Sequence, residues 1–342
     1  MRMLRITEPY QIEYSEAPDP LDPHSEDVLL QVRQVGICGS DRNTYQGRNP
    51  LAQLPRIPGH EVAAQVVKTG SDVPANIQTG QLVTIHPYTN CNQCVACRKG
   101  RPNTCEFNQT MGVQRDGAMR EYITLDWRKL YFDPQDRLTC QQLVLVEPLS
   151  VGFHAIDRGH VSSGDVVAIF GCGAVGMGAI AGALARNATV IAVGRTEHKL
   201  AVARGLGAQF TINTSCEQLS SALELIAPNG PDIIIEASGG ADAFLSAVKL
   251  IPYAGKIVCV GYCPNQVELS TIPFVKKELD LFGSRNALAS DFQGVMRQIS
   301  LGHLPIDELQ CQVFDWHNAQ NAFGSTESDN VAYFKCIIQV SF

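Results

Sequence analysis

The chain has 342 residues, 45% of them hydrophobic and 18% charged, and its formal net charge is −7. This length exceeds what a single hydrophobic core usually holds, and it predicts two domains. The net negative charge and the lack of a cluster of basic residues argue against nucleic acid as a partner. The lack of a secretory signal or a long apolar stretch predicts a cytoplasmic protein that does not bind membranes.

The first part of the chain, up to about residue 150, consists of short β-rich runs such as VLLQVRQVGI and EVAAQVVKTG, separated by glycine and proline. This pattern predicts an irregular all-β domain. The chain also contains twelve cysteines. In a long chain without a signal peptide, cysteines favour metal binding over a disulfide framework, and scattered ones are typically small buried side chains.

Four of these cysteines lie close together in NCNQCVACRKGRPNTC, with the spacing C-x2-C-x2-C-x7-C: Cys91, Cys94, Cys97 and Cys105. Four thiolates in one short loop are typical of a closed tetrahedral zinc site with a structural role. A [4Fe–4S] cluster is the main alternative, but the bacterial cluster motif has a shorter gap before its last cysteine and a proline after it. A redox dithiol or a group of ordinary core cysteines would also be compatible with this loop.

Three further fragments contain side chains that can bind a metal: GICGSD with Cys38, GHE with His60 and Glu61, and VEPLSVGFHA with Glu147. Together they offer a soft sulfur, an imidazole and two carboxylates, a set that fits a catalytic zinc with an exchangeable position. Individually they are also explained as a core cysteine, a surface His-Glu pair and a glutamate that begins a helix. Spacing alone leaves open whether these distant fragments converge.

From Gly164 the pattern changes to alternating strands and helices, which implies right-handed βαβ units and a parallel sheet covered on both faces. The predicted elements are strand Asp165–Phe170, helix Ala174–Arg186, strand Thr189–Val193, helix Glu197–Leu206, strand Gln209–Ile212, a helix around Glu217–Ile226, strand Asp232–Glu236, helix Ala241–Leu250 and strand Lys256–Val260. The tail adds helix Ser290–Leu301, a shorter helix near Trp316–Phe323 and a closing strand, Lys335–Val340. The pattern alone assigns this tail to neither domain.

The first strand of this series leads into a G-x-G-x-x-G motif, formed by Gly171, Cys172, Gly173, Ala174, Val175 and Gly176. In a dinucleotide-binding loop, the first glycine makes the tight turn and the second lets the backbone approach the pyrophosphate. The third allows close packing of helix and strand, and the helix N-terminus binds the phosphate charge. The strand before the motif and the alternation after it favour dinucleotide binding over a glycine-rich packing turn.

The end of the second strand, VIAVGRT, indicates which dinucleotide is preferred. NAD-binding proteins place Asp or Glu there to bind the ribose 2′-hydroxyl. This chain has Gly194 and Arg195 instead, with Lys199 about one helical turn further on. No carboxylate repels a 2′-phosphate at this position, and a guanidinium is available to bind one. The sequence therefore predicts NADP(H) in preference to NAD(H), with a solvated Arg195 as the alternative.

In their order along the chain, these fragments resemble the zinc-dependent medium-chain dehydrogenase/reductase family, and the resemblance covers essentially the whole sequence. EPLSVG and GHE look most like its polyol and threonine dehydrogenase branch. GVQRDG and GSRNA are similar to bacterial sugar-acid dehydrogenases of the L-galactonate 5-dehydrogenase kind. The resemblance implies a GroES-like β domain (residues 1–150, rejoined by 286–342), a Rossmann doubly wound domain (residues 151–285) and a homodimer or homotetramer.

The same resemblance implies an enzyme with two zinc ions per chain that transfers a hydride between NADP(H) and a secondary alcohol or ketone of a polyol or sugar acid. Cys38 and His60 are expected to bind the catalytic zinc. Glu61 and Glu147 are the two carboxylates of the branch, one binding directly and the other directly or through water. The competing functions are a zinc-free NADPH quinone or enoyl reductase on the same fold and an NAD-dependent threonine-type dehydrogenase.

Ser40, by the same resemblance, is the first group of the relay that carries the alkoxide proton to solvent. Many relatives have a histidine five residues after the zinc cysteine, where this chain has Asn43. An amide can hold a hydrogen bond but cannot titrate near neutral pH. We therefore expect the proton relay to run through Ser40 and water.

A few other residues are expected beside the ligands. Gly261 and Arg285 are expected next to the dinucleotide. Arg48, Arg56 and Arg115 lie in segments that flank the cleft in relatives, where a guanidinium could bind the carboxylate of a sugar acid. A surface or structural role explains each of these three arginines equally well.

Overall fold

The computed structural model describes residues 1–263, 265–324 and 334–341. The chain forms two compact units, one made of residues 1–147 and 310–342 and the other of residues 148–309. Residues 286–309, which the resemblance assigned to the β domain, lie in the second unit. Within that unit, Asp291 of this segment forms a buried hydrogen bond of 3.0 Å with His154.

The first unit is built mainly from strands, as its sequence pattern predicts. The strands are β1 (Arg2–Glu8), β2 (Gln11–Glu16), β3 (Asp27–Gly36), β4 (Glu61–Thr69), β5 (Leu82–Ile85), β6 (Tyr122–Asp126), β7 (Leu130–Tyr131), β14 (Cys311–Asp315) and β15 (Lys335–Gln339). The helices are α1 (Gly39–Tyr45), α2 (Val95–Arg98), α10 (Ala319–Gly324) and the first part of α3 (Cys140–Arg158), which continues into the second unit.

The long strand β3 organises the main sheet of this unit. β1 and β2 pair separately, and the larger sheet has the order β14-β15-β3-β4-β5-β7, with β6 also paired to β3. β3 is antiparallel to both β4 and β15, and Gly36 at its end pairs with Glu61 on one side and with Ile337 on the other. The end of β3 therefore meets the beginning of β4 and the beginning of β15, although these strands are far apart in sequence.

The second unit contains the alternating elements. The strands are β8 (Val166–Phe170), β9 (Thr189–Gly194), β10 (Phe210–Asn213), β11 (Ile233–Glu236), β12 (Lys256–Cys259) and β13 (Asp280–Gly283). The helices are α4 (Ala174–Leu184), α5 (Glu197–Gly205), α6 (Leu219–Ile226), α7 (Ala241–Leu250), α8 (Ile272–Lys277) and α9 (Ala289–Ser300). Among the described residues, no helix has the length and apolarity needed to cross a membrane.

All six strands of the second sheet are parallel and follow the order β10-β9-β8-β11-β12-β13. This is the doubly wound order, in which the direction of strand addition reverses between the first and fourth strands of the unit, β8 and β11. The predicted parallel sheet is confirmed. The sequence pattern missed β13 and α8, because both are short and largely exposed, so neither shows a continuous apolar run.

Candidate active site

Three of the predicted metal-binding side chains meet at the end of β3. Cys38 follows β3 and begins α1, while His60 directly precedes β4, whose first residue is Glu61. The antiparallel register that pairs Gly36 with Glu61 brings these fragments side by side. One ligand atom from each of Cys38, His60 and Glu61 lies within 4.8 Å of the other two. Such spacing is compatible with three ligands of a single metal ion.

A buried carboxylate lies behind this cluster. Asp41, which is fully buried in α1, accepts hydrogen bonds from the backbone N–H of Cys38 (2.9 Å) and of Gly59 (3.2 Å). Its Oδ1 also lies 3.8 Å from Nδ1 of His60. A carboxylate on the far side of a ligand histidine orients the ring and raises its basicity. Asp41 thereby links the backbone of the Cys38 fragment to that of the His60 fragment.

Glu61 is held by a buried ammonium group from the last strand. Its Oε1 lies 2.6 Å from Nζ of Lys335, and both side chains are buried. Oε2 is buried without a hydrogen-bond partner among the described residues. Gly36 is required opposite this carboxylate, since a Cβ at Gly36 would lie 2.2 Å from Oε2. One oxygen of Glu61 is thus neutralised, and the other is left to accept a ligand.

Glu147, on α3, has a different partner. Its Oε1 accepts a short hydrogen bond from the hydroxyl of Tyr88, and both side chains are buried. Glu147 is not one of the residues whose ligand atoms lie within 4.8 Å of one another. The two carboxylates predicted from the sequence therefore occupy different environments, one beside a cation and the other beside a neutral phenol.

Burial and nearby charged groups both shift the pKa values of the ionisable side chains in this site. Burial alone would lower the pKa of His60, but the carboxylate of Asp41 and the thiolate of Cys38 hold it well above its usual value. Burial likewise would lower the pKa of Lys335, but the charge of Glu61 raises the pKa of this lysine above its usual value. For Glu147, burial is the largest effect and it raises the pKa. Opposite charges at short range thus raise the pKa values of His60 and Lys335, whereas burial dominates at Glu147.

The donor set fits a zinc ion. A cysteine sulfur, an imidazole and a carboxylate are ligands that Zn²⁺ accepts, and fewer than four such ligands leave a position for substrate. The unpartnered Oε2 of Glu61 supports this interpretation, because a buried carboxylate oxygen without a partner is costly unless a ligand satisfies it.

Ser40 lies in the first turn of α1, two residues after Cys38. Its hydroxyl oxygen is buried and has no hydrogen-bond partner among the described residues, whereas Asn43 on the same helix is exposed. A buried hydroxyl without a partner is available to a ligand that enters beside Cys38. The two polar side chains thus lie in different environments, and the start of the proton relay at Ser40 stays a prediction.

The three arginines considered for substrate binding have partners within the first unit. Arg48 is exposed and donates to Gln46. Arg56 pairs with Asp116 at 3.1 Å. Arg115 donates to backbone carbonyls, among them that of Pro87 (3.2 Å). Burial lowers the pKa of Arg115, and the nearby charge of Arg120 acts in the same direction. These contacts explain the arginines structurally and assign none of them to a substrate.

The four cysteines of the loop also converge. The ligand atoms of Cys91, Cys94, Cys97 and Cys105 lie within 4.8 Å of one another, and all four are free of disulfides. Backbone N–H groups of Cys97 and Glu106 point at the sulfur of Cys94 and lower its pKa to about 6. In the same set, burial and the neighbouring thiols of Cys94 and Cys105 raise the pKa of Cys97 to about 11, and a bound metal would ionise all four sulfurs. The set fits a closed tetrahedral zinc.

The glycine motif of the second unit joins β8 to α4. Gly171 has a φ of 103°, and a Cβ there would lie 2.8 Å from the backbone nitrogen of Ser238. A Cβ at Gly176 would lie 1.8 Å from the carbonyl oxygen of Gly171. Gly173 is different: it is the N-cap of α4, and a Cβ there would meet no atom within 4 Å. The motif thus combines two glycines required by packing with one that faces open space at the helix N-terminus.

The other predicted dinucleotide-binding residues follow strands of the same sheet. Arg195 comes directly after β9 and is exposed, and Gly261 and Arg285 follow β12 and β13. Because these strands are parallel, their carboxyl ends lie at one edge of the sheet, which is where dinucleotides bind in doubly wound folds. Lys199 lies in the first turn of α5, which begins after Arg195. Gly171 follows β8 at the same edge.

At the end of β9, Gly194 is closely packed. A Cβ at this position would lie 3.3 Å from Sγ of Cys172 and from Cδ2 of Leu200. A side chain here would require both neighbours to move by a few tenths of an ångström. The position that bears an acidic residue in NAD-binding proteins thus has little room for one in this chain.

Sequence reasoning missed three residues of the site: Asp41, Tyr88 and Lys335. Asp41 had a local signal, because an acidic residue three positions after a helix N-cap commonly binds back to the cap backbone. Lys335 also had one, as a lysine at the start of an otherwise apolar closing strand. Tyr88 showed no comparable signal, since its partner Glu147 is 59 positions away.

Comparison with known proteins gave matches over both units. Residues 24–134 match the model of the alcohol dehydrogenase GroES-like domain, and residues 174–300 match that of zinc-binding dehydrogenases. The chain is 32% identical over 316 residues to the L-galactonate-5-dehydrogenase of Escherichia coli K12, and the match covers 90% of each chain. These findings confirm a fold class with a GroES-like β domain and a Rossmann-type parallel sheet.

Two solved structures resemble the chain over nearly its full length. One is an alcohol dehydrogenase (rspB) from Escherichia coli CFT073 in complex with NADH, with 27% identity, a TM-score of 0.90 and coverage of 99% of both chains. The other is a protein of the zinc-binding dehydrogenase type from Sinorhizobium meliloti 1021 bound to NADP. It has 26% identity, a TM-score of 0.89, and coverage of 99% of this chain and 98% of that one.

The buried pair of Glu61 and Lys335 leads to a stability prediction. We expect Lys335→Met to lower the free energy of unfolding by about 3–5 kcal/mol, because it leaves the buried Glu61 carboxylate without its counter-charge. Urea denaturation measures this change. The matched control is Lys68→Met, which breaks an exposed pair with Asp22 and should have little effect. Equal losses in the two variants would contradict the role assigned to burial.

Proposed function

The chain belongs to the zinc-binding alcohol dehydrogenase family, and from this premise we propose that it transfers a hydride between NADP(H) and a secondary alcohol or ketone of a polyol or sugar acid. The observation on which the proposal rests is the convergence of Cys38, His60 and Glu61 at the end of β3. A zinc-free quinone or enoyl reductase would have no use for such a buried set of ligands.

Two zinc ions per chain are proposed, one in the cluster at the end of β3 and one held by Cys91, Cys94, Cys97 and Cys105. When bound in the first site, zinc acts as a Lewis acid that lowers the pKa of the substrate alcohol or polarises the carbonyl. The four-thiolate site leaves no position for substrate, and its role is to stabilise the loop around it.

Of the two carboxylates, Glu61 is the proposed direct ligand, and Glu147 lies outside the inner set. The support is that Glu61 belongs to the set of ligand atoms within 4.8 Å of one another and Glu147 does not. Each carboxylate has its Oε1 engaged, by Lys335 and by Tyr88, and the Oε2 of Glu61 is buried without a described partner. Lys335 offsets the negative charge that Glu61 adds to the site. Asp41 places a carboxylate oxygen 3.8 Å from Nδ1 of His60 and so adds a negative charge on that side of the imidazole.

A side chain of this protein also transfers the proton that the substrate hydroxyl releases. Ser40 accepts the hydroxyl proton of the substrate and passes it on towards solvent through water, since no titratable side chain stands at Asn43. The buried position of the Ser40 hydroxyl beside Cys38 supports this role. In the second unit, the N-terminus of α4 at Gly173 holds the pyrophosphate of the dinucleotide, which supplies or accepts the hydride when bound.

The preference for NADP(H) rests on this chain's own residues, because similar structures hold either NADH or NADP. Gly194 leaves no carboxylate at the end of β9 and little space for one. Arg195 is exposed beside it and is available to a 2′-phosphate. The only carboxylate in the first turn of α5, Glu197, is engaged by Arg204 and by Asn213 (3.3 Å).

The substrate class rests on the similarity to L-galactonate-5-dehydrogenase and on the GVQRDG and GSRNA segments. Polyols and sugar acids both need a polar, hydroxyl-rich pocket, and the proposal covers both classes. The cytoplasmic location and the homo-oligomeric assembly stay predictions.

A substrate panel with a zinc-site variant tests this function. We expect oxidation of a polyol or sugar acid with NADP, no comparable oxidation of 3-hydroxy amino acids, and two zinc ions per chain. His60→Ala should lose one zinc and lower kcat/KM by at least about a hundredfold, because it removes a ligand of the proposed catalytic ion. His303→Ala, at an exposed position, is the matched control. Full activity in the zinc-deficient His60→Ala variant would rule out the mechanism.

The cofactor preference is tested at Arg195. We expect Arg195→Ala to raise the Kd for NADPH by about tenfold or more, because it removes a charged hydrogen bond to the 2′-phosphate. The Kd for NADH should stay nearly unchanged. Fluorescence titration measures both constants, and Arg297→Ala on the exposed face of α9 is the control. Tighter binding of NADH than of NADPH by the unmodified protein would refute the preference.

The proton relay is tested by comparing two variants of α1. Ser40→Ala should lower kcat by about a hundredfold and leave zinc content unchanged, because general acid–base transfer contributes effects of this size. Asn43→Ala should change kcat less than threefold, a limit of about 0.6 kcal/mol. Steady-state kinetics at saturating cofactor gives both values. The reverse ranking of the two variants would show that the relay starts elsewhere.

A further inference from the structure

Tyr88 has no part in the proposed function, yet its side chain contacts Glu147 beside the proposed metal site. It is only 3% exposed, and its hydroxyl donates a hydrogen bond to Oε1 of Glu147. Burial raises the pKa of this phenol well above its usual value, and the neighbouring charges of Glu147, Cys38 and Glu61 act in the same direction. The hydroxyl therefore remains a neutral donor inside a cluster of acceptors.

The segment that holds Tyr88 is fixed on several sides. The carbonyl oxygen of Tyr88 accepts a hydrogen bond of 2.9 Å from Nζ of Lys129. The preceding carbonyl, of Pro87, accepts one of 3.0 Å from the backbone N–H of Met111. The ring lies edge-on to that of His86, with centroids 5.0 Å apart. With backbone and ring both held, the hydroxyl has a defined position from which to bind a partner.

Glu147 depends on this partner for its orientation. Its backbone is fixed within α3, so the rotamer of its side chain decides where the carboxylate points. In the structure the carboxylate is bonded to Tyr88 and lies outside the compact set formed by Cys38, His60 and Glu61. The charge of Glu147 nevertheless contributes to the raised pKa of His60, so the carboxylate lies close to that set.

We propose that Tyr88 is a positioning residue that holds Glu147 by one oxygen and so keeps it from binding the catalytic metal directly. This inference rests on the proposed function, in which a zinc ion is bound by Cys38, His60 and Glu61. Ligation by Glu147 would fill the position that the substrate oxygen requires.

Charge gives a second reason to restrain Glu147. Cys38 and Glu61, the latter paired with Lys335, would already supply two anionic ligands to the ion. A third anionic ligand on the ion would weaken its action as a Lewis acid further. The phenol of Tyr88 stabilises the charge of Glu147 without adding any charge of its own. A lysine at the same place would form an ion pair instead and alter the balance of the site.

The inference is tested with Tyr88→Phe, which keeps the ring and removes only the hydroxyl. Tyr131→Phe is the matched control, because the ring of Tyr131 also neighbours that of His86, with the ring centroids 6.2 Å apart. Three quantities are measured on the intact protein: kcat, the rate of metal release to a chelator, and the visible absorption after Co²⁺ replaces the catalytic zinc. Circular dichroism and Tm verify that each variant is folded.

In Tyr88→Phe, Glu147 is free to turn onto the metal. We expect kcat to fall about tenfold, a typical effect of losing an outer partner at a metal site. Metal release should slow several-fold, and the Co²⁺ absorption should weaken, because an added ligand takes the ion away from tetrahedral geometry. Tyr131→Phe should change none of these quantities. The double variant with Glu147→Gln should show no further slowing of release relative to Glu147→Gln alone.

Two results would overturn the inference. Faster metal release with unchanged Co²⁺ absorption would mean that Tyr88 only supports the structure around the site. Unchanged values for all three quantities would mean that its hydroxyl has no positioning role. Failure of the proposed function is a separate outcome, since the unmodified protein would then lack the second zinc or show no turnover, whatever happens in Tyr88→Phe.

Discussion

Five ionisable side chains lie buried together around the end of β3: Asp41, His60, Glu61, Glu147 and Lys335. Charges removed from water are stable only when each has a partner at short range. Asp41 has two backbone N–H groups and the ring of His60, Glu61 has Lys335, and Glu147 has Tyr88. This need for pairing is met by bringing α1, β4 and β15 together around the end of β3 in the first unit.

The sheet supplies these pairings through register. The central strand β3 brings β4 to one side and β15 to the other, and the cluster forms where all three meet. A glycine is needed at that point, because Gly36 leaves the space that the Glu61 carboxylate fills. A shift of one residue in either pairing would turn Glu61 or Lys335 to the opposite face of the sheet. The chemistry of the site thus depends on the alignment of three backbones.

Much of the fold could be predicted from the sequence, because apolar runs such as Val166–Phe170 and the glycine motif act locally. The edge strand β13 could not, since its four residues are largely exposed. The candidate ligands Cys38, His60, Glu61 and Glu147 could be recognised by residue type. Lys335 stood out locally as a lysine in an apolar strand, but its partner could not be predicted, and Tyr88 had no local signal, because both contacts join segments that are distant in sequence.

The ion pair between Glu61 and Lys335 joins residues 274 positions apart, and the entire second unit lies between them in the sequence. During synthesis, a nascent chain therefore exposes Cys38, His60 and Glu61 long before the neutralising lysine leaves the ribosome. The second unit has time to fold while the first is still incomplete. The strand made last therefore supplies the counter-charge of a carboxylate on one of the first strands, and the buried ion pair of the first unit can form only after the whole second unit has been synthesised.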